Sequence, residues 1–473
     1  MSKEEDKPKG LNILCIGRLS PLSTEGANIE KRQDSGGVRG LSSLIILQEV
    51  MRRTRNANDG VVIHPYEHFD VIAGTGTGGV SACMLGRLRM PIKKAIEEYA
   101  KFAREVFKEK KMSGPTMYKR KKLEEVLKTM IREATGDEKE MMDEGRGNTG
   151  CKTAVFAMAR HNLNAGLPVM FRSYNADINP GPDCTIWEAL YATMAHPDLF
   201  KSIEIIDSSI PQSFVGGEIG CCNPLTHVLN EVKRLHPERH IACIISIGAG
   251  HARTIQVPSP SRWYRIQDVV VMKDMATDSE RVAEEMTLRF QDTSNVYFRF
   301  NIDQGMQNMK DGSWEKMGEA VQHAMVYMQK SETSQKLEGA VRAGMQRRGT
   351  VSTAHAGDAW VIAGQVTVTL DETKRLFGFK RCPAPTKFYT GREDENTQVI
   401  NCITGGENEL RHTWDEWDHI IYVDASSPEA IERALKEFGA ARSISQAHKD
   451  VIEWLESCEV WEVVCSSPLG SRI

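Results

Sequence analysis

A chain of 473 residues, 40% hydrophobic and 26% charged, has the composition of a soluble globular protein with room for two or more domains. Its net charge of -4 gives no general affinity for nucleic acid, and no apolar run approaches the roughly 20 residues of a membrane span, so any contact with lipid would be peripheral. The 11 cysteines include no CxxC pair, and the adjacent Cys221 and Cys222 cannot easily bridge each other; reduced thiols, a cytoplasmic location and no metal or cofactor are expected.

Residues 1–10, MSKEEDKPKG, lack the apolar core of a secretory signal and read as a disordered tail. LNILCI, residues 11–16, is the first buried strand. Residues 17–33, GRLSPLSTEGANIEKRQ, have no period and little apolar content. A strand feeding a glycine turn has no need of so long a detour. The stretch is either a surface loop or an intron read through in the gene model. The second is favoured, because its removal joins LNILCI directly to DSGGVRG at residues 34–40. A helix with a basic end follows at 41–53. FDVIA, residues 69–73, is a short apolar strand; GTGTGG, residues 74–79, turns sharply; residues 80–90 continue as a mostly apolar helix limited by Pro91. Strand, tight glycine turn and buried helix form the frame of a nucleophile elbow, in which the middle residue of Gly-x-Ser-x-Gly is thrust up at a helix N-terminus. Here that middle residue is Gly76.

Beyond the elbow, amphipathic helices are expected at 92–108 and 118–135, then a polar loop at 137–148. Strands follow at 153–159 and 169–174, a helix at 186–195, and a glycine-rich strand and turn at 213–223. A helix at 225–235 and the strongly apolar strand IACIISI at 241–247 complete the series. Repeated strand–turn–helix units predict an α/β domain whose parallel or mixed sheet is covered on both faces. Residues 265–289 and 313–346 read as helices, the second carrying Met317, Val321, Met325 and Met328 as a core stripe. Residues 349–379 read as a linker with a short QVTVTL strand, 383–390 as a proline-marked boundary, 417–424 as a strand, and 428–438 and 448–457 as helices. The last residues, from 458 on, show no clear element.

Plainer explanations compete at each candidate. GTGTGG also satisfies the dinucleotide pattern G-x-G-x-x-G, with Glu97 or Glu98 about twenty residues on. Those glutamates fall inside a continuous amphipathic helix, not at the end of a second strand. No Gly-Lys-Ser/Thr follows, so it is not a Walker loop. Thr75 and Thr77 should point away from the tip of the elbow, and Ser81 lies a turn down the helix. Asp198, Asp207 and Glu218 read most simply as solvated charges, although Glu218 stands where it could approach the elbow. His196 and His227 read as packing or surface residues, and KEKK at 108–111 as a solvated helix end.

DSGGVRG after the first strand, GTGTGG after FDVIA and VGGEIGCCNP at 215–224 occur in one order. With ATMAHPDLF at 192–200, they resemble the patatin-like phospholipase family over roughly residues 11–250. The resemblance implies a three-layer α/β/α domain with a mostly parallel sheet, spanning 11–350. It also implies a phospholipase A or carboxylic-ester hydrolase lineage acting on lipid or acyl esters. In that family a glycine loop supplies an oxyanion hole, and a serine–aspartate dyad works without histidine. Carried over, the oxyanion loop comprises Gly36, Gly37, Val38, Arg39 and Gly40, with Ser35 in place of the family's first glycine. The nucleophile position falls on Gly76 and the acid position on Gly216. Neither can perform its part, so hydrolysis should be impaired or absent. The alternative is a non-catalytic lipid- or acyl-anion-binding module in an immune-like signalling protein.

After a linker at 351–382, residues 383–473 resemble the start of an NB-ARC-type nucleotide-binding domain, which follows patatin-like domains in some fungal proteins. The segment lacks the Gly-Lys-Thr loop, expected between Arg411 and Trp417, and the magnesium-binding Asp on which ATP binding depends. It reads as a truncated or mis-spliced α/β fragment.

Overall fold

A computed structural model describes residues 9–17, 37, 39–145, 150–163, 166–176, 178–250, 279–291, 293, 295–305, 314–357, 419–424 and 461–466. LNILCI forms β1 (Leu11–Ile16), and all its residues are buried. Parallel neighbours flank it, β2 (Val71–Thr75) on one side and β7 (His240–Ile247) on the other. A strand with a parallel partner on each edge and helices on both faces has no exposed side, which is why this run is apolar on both faces but for Asn12 rather than alternating. Beyond β2 come β3 (Lys152–Ala159), parallel, and then β4 (Val169–Arg172) and β6 (Ile210–Gly216), both antiparallel to β3. β5 (Ile203–Asp207) forms the outer edge against β6. Beyond β7 lie β8 (Tyr297–Phe300), parallel, and β9 (Val351–Ser352), antiparallel.

The pleat sends alternate residues to two cores. Leu14, Ile16, Ile72, Val155, Ile245 and Phe300 face one set of helices. These are α1 (Gly40–Ala57), α3 (Thr77–Leu85), α4 (Ile92–Phe107), α5 (Arg120–Thr135), α6 (Ile186–Met194), α9 (Met317–Gln329) and α10 (Ser331–Gln346). Ile13, Cys15, Val71, Phe156 and Ile244 face α7 (Leu225–Leu235) and α8 (Glu280–Arg289) on the other side. The result is the expected three-layer α/β/α arrangement around a mostly parallel sheet.

Several boundaries differ from the sequence expectation. β2 begins two residues later than FDVIA and runs on through Gly74 and Thr75: Phe69 still closes the preceding helical turn, its N–H on the Pro65 carbonyl, while Asp70 already bonds to β1 through Asn12 O and to β3 through Lys152 N–H. The turn narrows to Gly76, and Thr77, Gly78 and Gly79 already belong to α3. β5 was not anticipated; its alternation, with Ile203 and Ile205 buried and Glu204 and Ile206 exposed, is too short to stand out. The long helix expected at 313–346 is two helices, broken at Lys330 with φ -60° and ψ 136°. Of its expected core stripe, Met317, Val321 and Met328 pack partly buried against the core beside Ala320, Ala324 and Tyr327, and Met325 is half exposed. Val351–Ser352 pairs with β7, and a short helix, α11 (Thr353–Gly357), follows it, so these residues join the sheet rather than open a linker.

A second unit lies within Val366–Ile473. Its described residues are two parallel strands, β10 (His419–Asp424) and β11 (Trp461–Ser466), the latter in a stretch expected to hold no element. The 17–33 stretch beyond Gly17, the first part (265–278) of the helix expected at 265–289, QVTVTL, the proline-marked boundary, the stretch between Arg411 and Trp417 and the helices at 428–438 and 448–457 lie outside the described residues. Among those described, no helix is long and apolar enough to cross a membrane.

At the N-terminal end of β1 the chain buries a polar knot. Asn12 donates to the carbonyls of His68 and Gly344, and Arg347 pairs with Asp70 at 2.9 Å. His68 closes a short helix, α2 (Pro65–His68), and is buried. Burial first, and the Arg347 cation second, push its imidazole down to about 4. The unfolded chain therefore takes up this proton at higher pH than the folded chain, and stability falls as pH drops from about 6.5 towards 4. At pH 5 the loss from this group should reach about 2 kcal/mol. Denaturation midpoints measured at pH 7.5 and pH 5 should converge for His68→Gln relative to the unmodified chain. Equal pH slopes in the two proteins would show that His68 does not carry the effect.

Candidate active site

The site is built where β2 ends. Gly76 has φ 56° and ψ -129°, a conformation costly for any residue with a Cβ, and it stands as N-cap of α3. The other glycines of GTGTGG have a different reason. A Cβ on Gly74 would run into the Gly78 carbonyl, and one on Gly78 would run into the Ile16 carbonyl. Hydrogen at both positions lets α3 lie directly on β1 and β2. The dinucleotide reading fails as expected, since Glu97 and Glu98 sit within α4.

Thr193, near the end of α6, ties the elbow down. Its Oγ1 accepts the Gly76 N–H at 2.7 Å and donates to the Phe156 carbonyl at 2.5 Å. The adjoining backbone holds the second glycine turn: Gly216 N–H donates to Ala195 O at 2.9 Å. Gly217 packs so closely on Thr75 Oγ1 and the Phe156 carbonyl that no Cβ fits. The segment ATMAHPDLF thus ties the backbones of Gly76 and Gly216, two positions 140 residues apart in sequence. Thr193 itself was missed, because a lone threonine in an apolar helix carries no distinguishing signal.

The loop before α1 comes to the same place. Tyr99 of α4 donates its hydroxyl to the Gly37 carbonyl at 2.8 Å, and Gly37 lies against the Phe107 ring. Gly40 fits between Tyr99 Oη and Thr77 Oγ1, too tightly for a side chain. Arg39 caps α1 and is buried, so its charge is held inside the protein rather than at its surface. Gly36 and Val38 lie outside the described residues.

Other groups near the elbow are poorly placed to attack a substrate. Thr75, Thr77 and Ser81 are all buried within β2 and α3. Burial pushes the Cys15 and Cys83 thiols up to about 12, and Cys221 well above its ordinary value, so all three stay protonated at neutral pH.

Glu218 is the residue the sequence misjudged. Expected as a solvated charge, its side chain has no solvent exposure. Its Oε1 lies 4.0 Å from Nε2 of His196, which is likewise buried. His196 Nδ1 accepts the Asp198 backbone N–H at 3.2 Å, which leaves the proton of a neutral imidazole on Nε2, facing the carboxylate. One signal existed: Glu218 is the sole ionisable carboxylate between Asp207 and Glu231.

Comparison with known proteins agrees with this geometry. The family model for patatin-like phospholipase matches residues 34–222, from the glycine loop before α1 to the residues just after β6. The chain carries a patatin-like phospholipase domain. It is 28% identical to calcium-independent phospholipase A2-gamma of Mus musculus over 304 residues, covering 61% of this chain and 36% of that protein. The human protein of the same name is 26% identical over 305 residues, with the same shares. "Probable inactive patatin-like protein 9" of Arabidopsis thaliana is 27% identical over 248 residues, 49% of this chain and 62% of that protein. The chain therefore spans little more than a third of the two phospholipases.

Two substitutions check the construction. Thr193→Val leaves the Gly76 N–H without its acceptor and should lower stability by about 1–3 kcal/mol. Gly76→Ala must adopt the positive φ and should cost a similar amount, about 1–3 kcal/mol. Denaturant titration measures both. A neutral Gly76→Ala would mean that the turn is not left-handed at this residue.

Proposed function

We propose that the chain is a lipid acyl hydrolase by lineage that does not hydrolyse its ligand. The observation carrying this is Gly76: at the tip of the elbow, where attack on an ester carbonyl would begin, there is a hydrogen atom. Acyl transfer through a covalent intermediate requires an oxygen or sulfur there and a base beside it. Gly216, at the family's acid position, cannot take a proton. An oxyanion loop alone sustains about 10³-fold over water, little beside ordinary enzyme accelerations. A relative bearing the word inactive in its name supports the same reading. The ligand class is phospholipid or another acyl ester, met at a membrane surface without insertion, by a protein working in the cytoplasm.

A second reading, a lipid- or acyl-anion-binding module, is favoured by the retained frame. The elbow keeps its left-handed turn, and the loop at Gly37 to Gly40 keeps its seat against Tyr99 and Thr77. For the C-terminal segment the proposal remains an NB-ARC-like remnant that does not bind ATP.

Incubating the full chain with a fluorophosphonate probe and with a p-nitrophenyl acyl ester tests the main proposal. The expected result is no covalent labelling and no turnover beyond the slight acceleration an oxyanion loop alone sustains, with phospholipid vesicles or fatty acid retained in a saturable way under the second reading. Stoichiometric labelling within the 34–222 region would overturn it.

A further inference from the structure

We propose that Glu218 has taken the place of the dyad acid missing from position 216, so that the site lacks its nucleophile but not its carboxylate. The inference rests on the reading of Gly76 as the nucleophile position. Its ground is steric. A Cβ built on Gly216 would lie 3.1 Å from both Cδ and Oε1 of Glu218, and 3.0 Å from the His196 backbone N. An aspartate at 216 would need room for its carboxylate just beyond that Cβ, and the Glu218 carboxylate is already there.

The chain path makes the exchange possible. After β6 the backbone folds back on itself, with Ile219 N–H reaching Gly216 O at 3.3 Å and Cys221 N–H reaching Gly217 O at 3.0 Å. Cys222 Sγ donates to the Glu218 carbonyl at 3.0 Å and fixes the middle of the turn. Two residues of displacement along the chain are offset by this reversal and by the extra methylene of glutamate. A carboxylate with no solvent exposure is costly to bury, which a merely solvated surface charge would not incur. It shares a neighbour with a Cβ at 216: His196 lies against both, its backbone N 3.0 Å from that Cβ and its Nε2 4.0 Å from the Glu218 carboxylate.

The chemistry shows itself only when an attacking oxygen is supplied. In Gly76→Ser the introduced hydroxyl gives its proton to Glu218 as its oxygen bonds to the phosphorus of a fluorophosphonate, and fluoride leaves with the P–F electron pair. With an ester, the C–O bond to the leaving group breaks, and Glu218 returns the proton to the departing alkoxide.

The experiment compares labelling rates of the full chain as Gly76→Ser, Gly76→Ser/Glu218→Gln and Gly76→Ser/Gly216→Asp, each checked for native near-ultraviolet dichroism. Gly76→Ser should be labelled, Glu218→Gln should slow this by 10²-fold or more, and adding Gly216→Asp should slow it too, because two carboxylates then compete for one space. Equal rates with and without Glu218→Gln would overturn the proposal. So would a folded Gly76→Ser that is labelled only once Gly216→Asp is added. Because the positive φ at Gly76 opposes any side chain, a second measurement avoids that position. In the otherwise unmodified chain, Gly216→Asp should lower the denaturation midpoint, and combining it with Glu218→Gly should restore part of the loss. Purely additive shifts would show that the two side chains do not share a place. Labelling of the unmodified chain would instead count against the hydrolytic silence proposed above and leave the role of Glu218 to these comparisons.

Discussion

The molecule depends on the contact between α3 and the two central strands beneath it. Gly74 and Gly78 meet with no room for a carbon atom between Gly78 and the carbonyl of Ile16, or between Gly74 and the carbonyl of Gly78. That approach places a fully buried, mostly apolar helix directly on β1 and β2. It also forces the chain to reverse in a single residue, Gly76. A side chain at either packing glycine would push the helix off the sheet and dissolve the turn, whether or not any reaction takes place there. The glycine pattern is therefore a packing requirement first and a site second.

Around that contact, parts distant in sequence converge. Thr193 holds the Gly76 amide through its hydroxyl, and the backbone beside it holds Gly216. Tyr99 holds Gly37. Each tie comes from a helix, or from the residue just after one, packed on the same face of the sheet. A scaffold fixed by main-chain hydrogen bonds and close glycine packing does not need a serine to keep its shape. The buried pair Glu218 and His196 joins Arg39 among the polar side chains held inside this part of the molecule.

Much of this was legible in the sequence because it depends on local pattern. Continuous apolar runs marked β1 and β7, and three-to-four-residue spacing marked α4, α5 and α7 nearly to the residue. Where the pattern was short or ambiguous, it misled. IEIID was too brief to announce β5, and Met325, read as part of the core stripe of α9, is half exposed. Val351–Ser352 gave no sign that it would pair with β7, since two residues carry no period.

The sequence by itself determined the fold class, the order of the glycine turns and the identity of the residues at their tips, because chain order and side-chain type are local facts. Tertiary structure alone decided which side chains are sealed from water and which meet. Thr193 and Gly76 lie 117 residues apart, and Glu218, which the sequence reads as a solvated charge, is sealed inside beside His196. Burial and contact depend on what packs across the sheet, and no single stretch of chain records that.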